Sequence, residues 1–188
     1  MRLFVAVDLS PETREQVGAL RQQLESRLRG RRAPRLTWVR PEVAHVTLGF
    51  IGEVPDRTLD QILASVGSPR LPNGPFNVLW STVGAFPDQR KPRVLWLGAT
   101  SGAESLTALA RTVRERLKGM TAADEDRPFR PHVTIARVRD PGSGVGWSEA
   151  LSGVHLRMTA THVDHVTLYR SQLSPKGPHY TALATFEF

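Results

Sequence analysis

Two histidines in the chain each stand two residues before a threonine, within nearly identical tetrapeptides. The first is His45-Val46-Thr47-Leu48 and the second is His132-Val133-Thr134-Ile135. Alternate side chains of a β-strand share a face, so each copy presents an imidazole and a hydroxyl in one direction, about 6.6 Å apart. Histidine can act as acid or base near neutral pH, and a hydroxyl can donate to a phosphoryl oxygen. The pair therefore predicts acid–base chemistry on a phosphate.

A third copy, His165-Val166-Thr167-Leu168, competes with these two. The first two copies each follow an apolar strand and an amphipathic helix, whereas the third follows a turn and short strands. Three copies cannot all lie on one two-fold axis. We expect the functional pair to be His45 and His132.

The elements that position this pair follow the same order twice along the chain. Strands are predicted at 3–9 and 93–99, and helices at 11–29 and 103–118, from apolar runs and from apolar residues spaced by three and four. This order indicates a pattern-level duplication, roughly 1–80 and 81–188, within a single two-lobed domain of 188 residues. The turn-rich stretch 69–75 is the expected crossing between the lobes.

Composition narrows the possible partners. The formal net charge is +7 and the pI is near 10.9, which favours an anionic partner, nucleic acid first. Of the 25 basic residues 22 are arginines, although a GC-rich coding bias explains that count equally well. No cysteine is present, which excludes disulfides, a thiol nucleophile and cysteine-bound metal.

Cellular location follows from the lack of targeting signals. The N-terminal apolar segment is interrupted by Asp8, too early for a secretory signal, and no apolar run reaches the roughly 18 residues of a membrane span. We expect a cytoplasmic protein without membrane contact.

Several other residues are weaker candidates for substrate binding. Arg130 shares the face of His132 if the chain is extended there, whereas Arg137 lies on the opposite face unless a bulge intervenes. Each arginine is otherwise a surface residue. Phe86, expected in a loop over 84–92, could stack on a base or serve as a hydrophobic plug, and Phe50 is expected in the core.

The remaining histidines do not indicate a metal site. They lack neighbouring carboxylates and helical spacing, and they are His155, His162, His165 and His179. We therefore predict no metal and no cofactor.

Motifs along nearly the whole chain resemble those of the 2H phosphoesterase superfamily, specifically its RNA 2′,3′-cyclic phosphodiesterase family, once named 2′-5′ RNA ligase. The resemblance rests on Arg2–Leu9, Trp38–Pro41, His45–Val54, Phe86-Pro87, Pro92–Gly98, Phe129–Arg137, Leu168–Ser171, Gly177-Pro178 and Tyr180. With the duplication, it implies an α+β fold of two lobes with pseudo-two-fold symmetry. Two mainly antiparallel sheets line a central cleft, with helices on the outer faces.

The resemblance also implies roles for the site residues. His45 is the general acid for the departing 3′ oxygen, and His132 is the general base for water, which gives a 2′-phosphate. Thr47 and Thr134 would hold the non-bridging oxygens, and His165 falls where the family carries no catalytic motif. Pseudo-symmetry means that the residues themselves leave the choice of acid and base open.

Three functions are compatible with these observations. The first is metal-independent hydrolysis of 2′,3′-cyclic phosphates at RNA ends, by a protein expected to be monomeric. The second is the reverse reaction, which joins RNA ends through a 2′-5′ bond. The third is a basic RNA- or nucleotide-binding module without catalysis. The sequence leaves open whether the substrate is a tRNA half, an oligonucleotide, a mononucleotide or a cyclic ADP-ribose derivative.

Overall fold

Nine strands and four α-helices are present in the part of the chain that the structure describes. The structure, a computed structural model, describes residues 1–29, 33–68, 70–72, 74–121, 128–174 and 177–188. Strands β1 to β9 are Arg2–Asp8, Arg35–Trp38, His45–Glu53, Phe76–Phe86, Val94–Ser101, His132–Asp140, Thr159–Val163, His165–Ser174 and Gly177–Glu187. Helices α1 to α4 are Pro11–Arg27, Leu59–Gly67, Ala103–Arg116 and Trp147–Ser152. Short 3₁₀ turns lie at Pro41–Val43 and Asp56–Thr58.

The strands form two sheets. The first contains β3 and β8, which carry the first and third His-x-Thr copies, and the second contains β6, which carries the second copy. The first sheet has the order β3-β1-β8-β9, and the second has the order β2-β6-β5-β4-β7. Every pairing within them is antiparallel. His45 begins β3 at the edge of the first sheet, and His132 begins β6 in the second. The α+β fold with two antiparallel sheets is as predicted.

The sheets do not follow the two sequence ranges of the duplication. Strand β2 belongs to the range 1–80 and β4 crosses its end, yet both lie in the second sheet. Strands β8 and β9 belong to the range 81–188, yet both lie in the first sheet. The two halves of the duplication correspond only in one pair of neighbouring strands each, β1 with β3 and β5 with β6. The stretch 69–75 lies between α2, which contacts β9 of the first sheet, and β4 of the second sheet, and its residues 69 and 73 lie outside the described residues.

Each long helix packs on the sheet that does not contain its preceding strand. Helix α1 follows β1 but contacts β6 and β7, and α3 follows β5 but contacts mainly β3. Ser10 caps α1 by accepting a hydrogen bond from the backbone N–H of Thr13 at 3.2 Å. The buried face of α3, with Val113 and Leu117, lies beside Gly49 of β3. The helices therefore tie the two sheets together from their outer sides.

Two local predictions are wrong in detail. Phe86 is the last residue of β4, not part of a loop, because the pairing of β4 with β5 continues to Phe86 and Val94. The indole of Trp96 lies over Gly84 and leaves no room there for a Cβ atom. The helix predicted at 11–29 ends at Arg27, and the short helix α4 was not predicted at all.

Candidate active site

The imidazoles of His45 and His132 are oriented in the same way, each by a hydrogen bond to the backbone carbonyl two residues earlier. The Nδ1 of His45 donates to the carbonyl of Val43 at 2.8 Å, and the Nδ1 of His132 donates to the carbonyl of Arg130 at 2.6 Å. A carbonyl can only accept, so Nδ1 carries the hydrogen in each ring. The Nε2 atom is thereby left in both rings as the nitrogen that can take up or release a proton.

The two histidine strands approach each other across the cleft. Cα atoms of β3 lie within 8 Å of Cα atoms of β6. A positive charge on His132 lowers the pKa of His45, so the imidazoles influence each other electrostatically. The prediction that the first two tetrapeptides converge is supported by this proximity.

A β-bulge follows the threonine in both strands. In β6, Thr134 pairs with Trp96 and Ala136 with Leu95, so Ile135 is an extra residue. In β3, Leu48 is extra in the same way, between Thr47 and Gly49. A bulge places two successive side chains toward the same side of the sheet and shifts the alternation by one residue. The fifth residue after each histidine is consequently returned to the histidine face.

This shift corrects the expectations for Arg137 and Phe50. Regular alternation places Arg137 away from His132, but the bulge turns its exposed side chain toward the site. Its charge lowers the pKa of both His45 and His132. Phe50, the equivalent residue in β3, is half-buried and not in the core, with the guanidinium of Arg2 4.8 Å from its ring centre.

The two threonines differ in what they contact. The hydroxyl of Thr47 lies 3.0 Å from Nε2 of His45 and donates to it when the ring is neutral. Thr134 makes no side-chain hydrogen bond to any residue that the structure describes. Both hydroxyls share a face with their histidine, as the spacing predicts. One is held by the ring in this state, and the other is available.

Aromatic rings and one carboxylate surround His45. Its ring stacks on Phe4 at 4.8 Å between centroids, and the edge of Tyr180 lies 5.3 Å away. Asp8 is the cross-strand neighbour of His45, and its charge raises the pKa of His45. Asp8 accepts hydrogen bonds from Tyr169 at 2.7 Å and Thr167 at 2.9 Å.

Tyr180, Phe4 and Asp8 were not recognised as site residues from the sequence. They reach the site through the pairing of β1 with β3 and β8, and of β8 with β9. Such long-range register leaves no periodic signal in a single sequence, so only the motif resemblance pointed to these segments.

Around His132 the neighbours are aromatic and cationic. Phe86 meets the ring edge-on at 5.0 Å, and the guanidinium of Arg130 lies 5.5 Å from the centre of Phe86. Trp96 continues this surface, and its buried Nε1 has no hydrogen-bond partner among the described residues. The structure therefore brings all three weaker candidates, Arg130, Arg137 and Phe86, to the second sheet's side of the site.

Burial dominates the protonation of both histidines. It lowers the pKa of His45 and of His132 below the ordinary value, and Arg137 adds to this effect. The backbone carbonyls of Val43 and Arg130 act in the opposite direction without reversing it. Both rings are thus poised to be neutral without substrate, and a bound phosphate dianion or diester would raise their proton affinity.

The third tetrapeptide copy has a different environment. The Nδ1 of His165 contacts the Asp164 carboxylate at 2.5 Å, and its Nε2 lies 3.8 Å from Asp8. Thr167 donates to Asp8. The imidazole and the hydroxyl of this copy are therefore both directed to carboxylates of the protein, which supports the ranking of the three copies.

Within the described ranges, no group of three or more histidine, aspartate or glutamate side chains is arranged to hold a metal ion. No described helix has the length and apolar character needed to cross a bilayer.

Two antiparallel sheets in which β3 and β6 each bring a histidine and a threonine to a shared cleft are the arrangement expected of a two-histidine phosphoesterase. A family model described as the 2′-5′ RNA ligase superfamily matches residues 9–175. The chain belongs to this superfamily.

Relatives across the full length agree with this assignment. The RNA 2′,3′-cyclic phosphodiesterase of Archaeoglobus fulgidus is 36% identical, and the match covers 100% of this chain and 100% of the relative. That of Thermus thermophilus is also 36% identical, over 99% of this chain and 89% of the relative.

Solved structures show the same fold. The protein TT0787 of Thermus thermophilus superposes with a TM-score of 0.77 at 29% identity, over 100% of this chain and 97% of that chain. Escherichia coli LigT complexed with 3′-AMP superposes with a TM-score of 0.72 at 27% identity, over 100% and 97%.

Proposed function

We propose that this protein hydrolyses 2′,3′-cyclic phosphates at RNA ends to 2′-phosphates by acid–base catalysis with two histidines. The observation that carries the proposal is the pair of imidazoles on facing strands, each with Nδ1 bound to a carbonyl and Nε2 left for proton transfer, and with the charge of Arg137 acting on both rings. The names of the full-length relatives support the same reaction.

The reaction needs one proton removed and one supplied on opposite sides of phosphorus. His132 Nε2 takes a proton from water as the water oxygen bonds to phosphorus. The bond from phosphorus to O3′ breaks, and His45 Nε2–H protonates the departing oxygen. The 2′ ester remains, so the product carries a 2′-phosphate and a 3′-hydroxyl.

Asp8 supports the assignment of His45 as the acid. It is the carboxylate among the groups that act on His45, and it favours the protonated ring. No carboxylate is among the groups that shift the pKa of His132 in the described part of the chain.

Arg137, Thr134 and Thr47 supply donors for the non-bridging oxygens as charge develops. Thr47 becomes available for this purpose once Nε2 of His45 is protonated, because the nitrogen then no longer accepts. Phe86, capped on one side by Arg130, offers an apolar face on which the terminal base can stack.

Product analysis tests the reaction. An oligonucleotide ending in a 2′,3′-cyclic phosphate is expected to give a 2′-phosphate with a free 3′-hydroxyl, in the presence of a chelator as in its absence. Loss of turnover with the chelator contradicts the metal-independent scheme. The kcat/KM profile is expected to be a bell centred on the acid side of pH 6.5, because both histidine pKa values are lowered.

End joining through a 2′-5′ bond is the second candidate, favoured by the superfamily to which the chain belongs. The same residues catalyse it in reverse, with a 5′-hydroxyl replacing water as the nucleophile. Adding a 5′-hydroxyl oligonucleotide to the assay measures its share against hydrolysis. A non-catalytic binding module predicts nucleotide binding with neither product. A monomeric state and a cytoplasmic location stay predictions.

A further inference from the structure

A row of side chains on the first sheet extends the site face beyond His45. Arg2 pairs with Glu53 on β3 and with Ser171 on β8, and Ser171 pairs with Tyr180 on β9. Paired residues of antiparallel strands share a face. Arg2 therefore lies on the same face as Phe4, about 6.6 Å further along β1 and next to the ring that stacks on His45.

The guanidinium of Arg2 is presented without a counter-charge. It lies 4.8 Å from the centre of the Phe50 ring, which the bulge in β3 has turned to this face. No carboxylate within the described ranges lies within ion-pair distance of it. The neighbouring Glu53 instead lies 3.7 Å from the N-terminal amine. A planar guanidinium seated on an aromatic ring keeps its N–H groups free for a phosphate.

A groove gives access to this arginine. It has a volume of about 380 Å³ and is lined by Met1, Arg2, Glu53 and residues 170–173 of β8. Arg170 brings a second cation to the groove, and its Nε is buried without a hydrogen-bond partner among the described residues. Leu173 is 72% exposed at the outer end, where a ribose or base could pack on it.

Tyr180 connects this groove to the reacting centre. Its ring lies edge-on to both His45 and Phe4. Burial raises the pKa of Tyr180, while the charges of Arg137 and Arg2 both lower it, so both guanidiniums act electrostatically on its hydroxyl. Tyr180 therefore lies beside His45 and is influenced by the charges of both arginines.

The stereochemistry of the proposed reaction directs the RNA toward this groove. Water enters on the side of His132, so the ribose lies on the side of the leaving oxygen, near His45 and the first sheet. The RNA continues from that ribose through its 5′ carbon to the preceding phosphate. The guanidinium of Arg2 lies over Phe50, which pairs with Phe4, and the Phe4 ring stacks on His45, so the next phosphate of the strand is expected on the Arg2 side of His45.

We propose that Arg2, seated on Phe50 and flanked by Ser171, forms a second phosphate subsite that binds the phosphate on the 5′ side of the terminal nucleotide. This inference rests on the proposed function and deepens it. The preferred substrate is an RNA end or a 5′-phosphorylated nucleotide, and a nucleoside cyclic phosphate with a free 5′-hydroxyl is a poorer one.

The test compares adenosine 2′,3′-cyclic phosphate with and without a 5′-phosphate. The wild-type protein is expected to favour the 5′-phosphorylated substrate about tenfold or more in kcat/KM, mainly through KM, because a charge-assisted contact forms remote from the breaking bond. Arg2→Gln brings this ratio close to one, and Arg2→Lys keeps part of it. Arg111→Gln, which removes an equal charge from an exposed position on α3, retains the wild-type ratio.

The outcomes separate the two proposals. A wild-type ratio near one, or a ratio that Arg2→Gln leaves unchanged, overturns the subsite while leaving the hydrolase proposal intact. If neither substrate is hydrolysed, the proposed function fails. The subsite is then judged by the affinities for adenosine 3′-monophosphate and adenosine 3′,5′-bisphosphate. Tighter binding of the bisphosphate, lost in Arg2→Gln, supports the subsite, and equal binding refutes it.

Discussion

Strands β3 and β6 share a tetrapeptide, a carbonyl contact two residues before the histidine, and an extra residue at the fourth position. In β3 the residue that the bulge returns to the site is Phe50, whereas in β6 it is Arg137. The same β-bulge therefore places an aromatic ring on the His45 side of the site and a guanidinium on the His132 side.

The neighbours of the two histidines differ in a matching way. His45 has Phe4, Tyr180 and the Asp8 carboxylate around it, and His132 has Phe86 with Arg130. The duplicated backbone therefore fixes where the imidazoles are, and the residues added by other strands distinguish their chemical roles.

Removing either imidazole is expected to have the largest effect. His45→Ala and His132→Ala each remove one proton-transfer group, and we expect kcat to fall by about 10²- to 10⁴-fold. Steady-state kinetics on a cyclic-phosphate substrate measure the loss, and titration with a nucleotide checks that affinity is largely kept. A variant that retains a tenth of wild-type kcat would show that its histidine is not an acid or base in the reaction.

Arg137→Ala is expected to be next, with a loss of about 10²- to 10³-fold in kcat from a missing donor to the developing charge. Arg137 also lowers the pKa of both histidines, so both pKa values rise in the variant and the bell moves to higher pH. Arg137→Lys keeps the charge without the planar fork, so its profile stays in place while kcat falls less. An unmoved bell in Arg137→Ala would place the guanidinium away from the rings.

The position of Arg137 shows where prediction from the sequence reaches its limit. The histidines, the threonines, and the strand and helix order are visible because they depend on local spacing. The face of Arg137 depends on one extra residue, Ile135, whose insertion is defined only by the partner strand β5. Neither Ile135 nor Ala136 is an unusual strand residue, so alternation gave the wrong face.

Strand partnership was hidden for a related reason. β1 pairs with β8, and Arg2 faces Ser171 across 169 positions of the chain. The apolar pattern of a strand predicts that the strand is buried, but it does not predict which strand pairs with it. Tyr180 and Asp8 reach the site through these pairings, so a single sequence identifies them only by motif resemblance.

The threonines provide a finer test of the asymmetry. Thr47→Val and Thr134→Val each remove one donor to the phosphate, and we expect about a tenfold loss in kcat/KM. Thr47 also donates to the neutral form of His45, so its removal raises the pKa of His45, and removal of Thr134 has no such effect on His132. Titration of the ring signals by NMR distinguishes the two variants. If the pKa of His45 in Thr47→Val and the pKa of His132 in Thr134→Val change equally, the two threonines do not differ in their effect on the neighbouring histidine.

Asp8→Asn is expected to change the rate by a few-fold at most near the optimum, and to act mainly on pH dependence. Asp8 raises the pKa of His45, so its neutralisation lowers that pKa, and the limb of the profile that His45 controls moves to lower pH. Tyr169→Phe is the matched control, because it removes a hydrogen bond to Asp8 and keeps the carboxylate. The ring signals of His45 report the change, and a rise in its pKa would contradict the assignment of Asp8.

His165→Ala is expected to have the smallest effect, within about twofold of wild-type kcat/KM, because the ring serves contacts inside the first sheet. Its Nδ1 contacts the Asp164 carboxylate and its Nε2 lies 3.8 Å from Asp8, so both nitrogens of this ring are directed to carboxylates of the protein. The variant is assayed beside His132→Ala under the same conditions. A loss of kcat/KM as deep as that of His132→Ala would show that His165 takes part in the reaction, and it would contradict the choice of His45 and His132 as the functional pair.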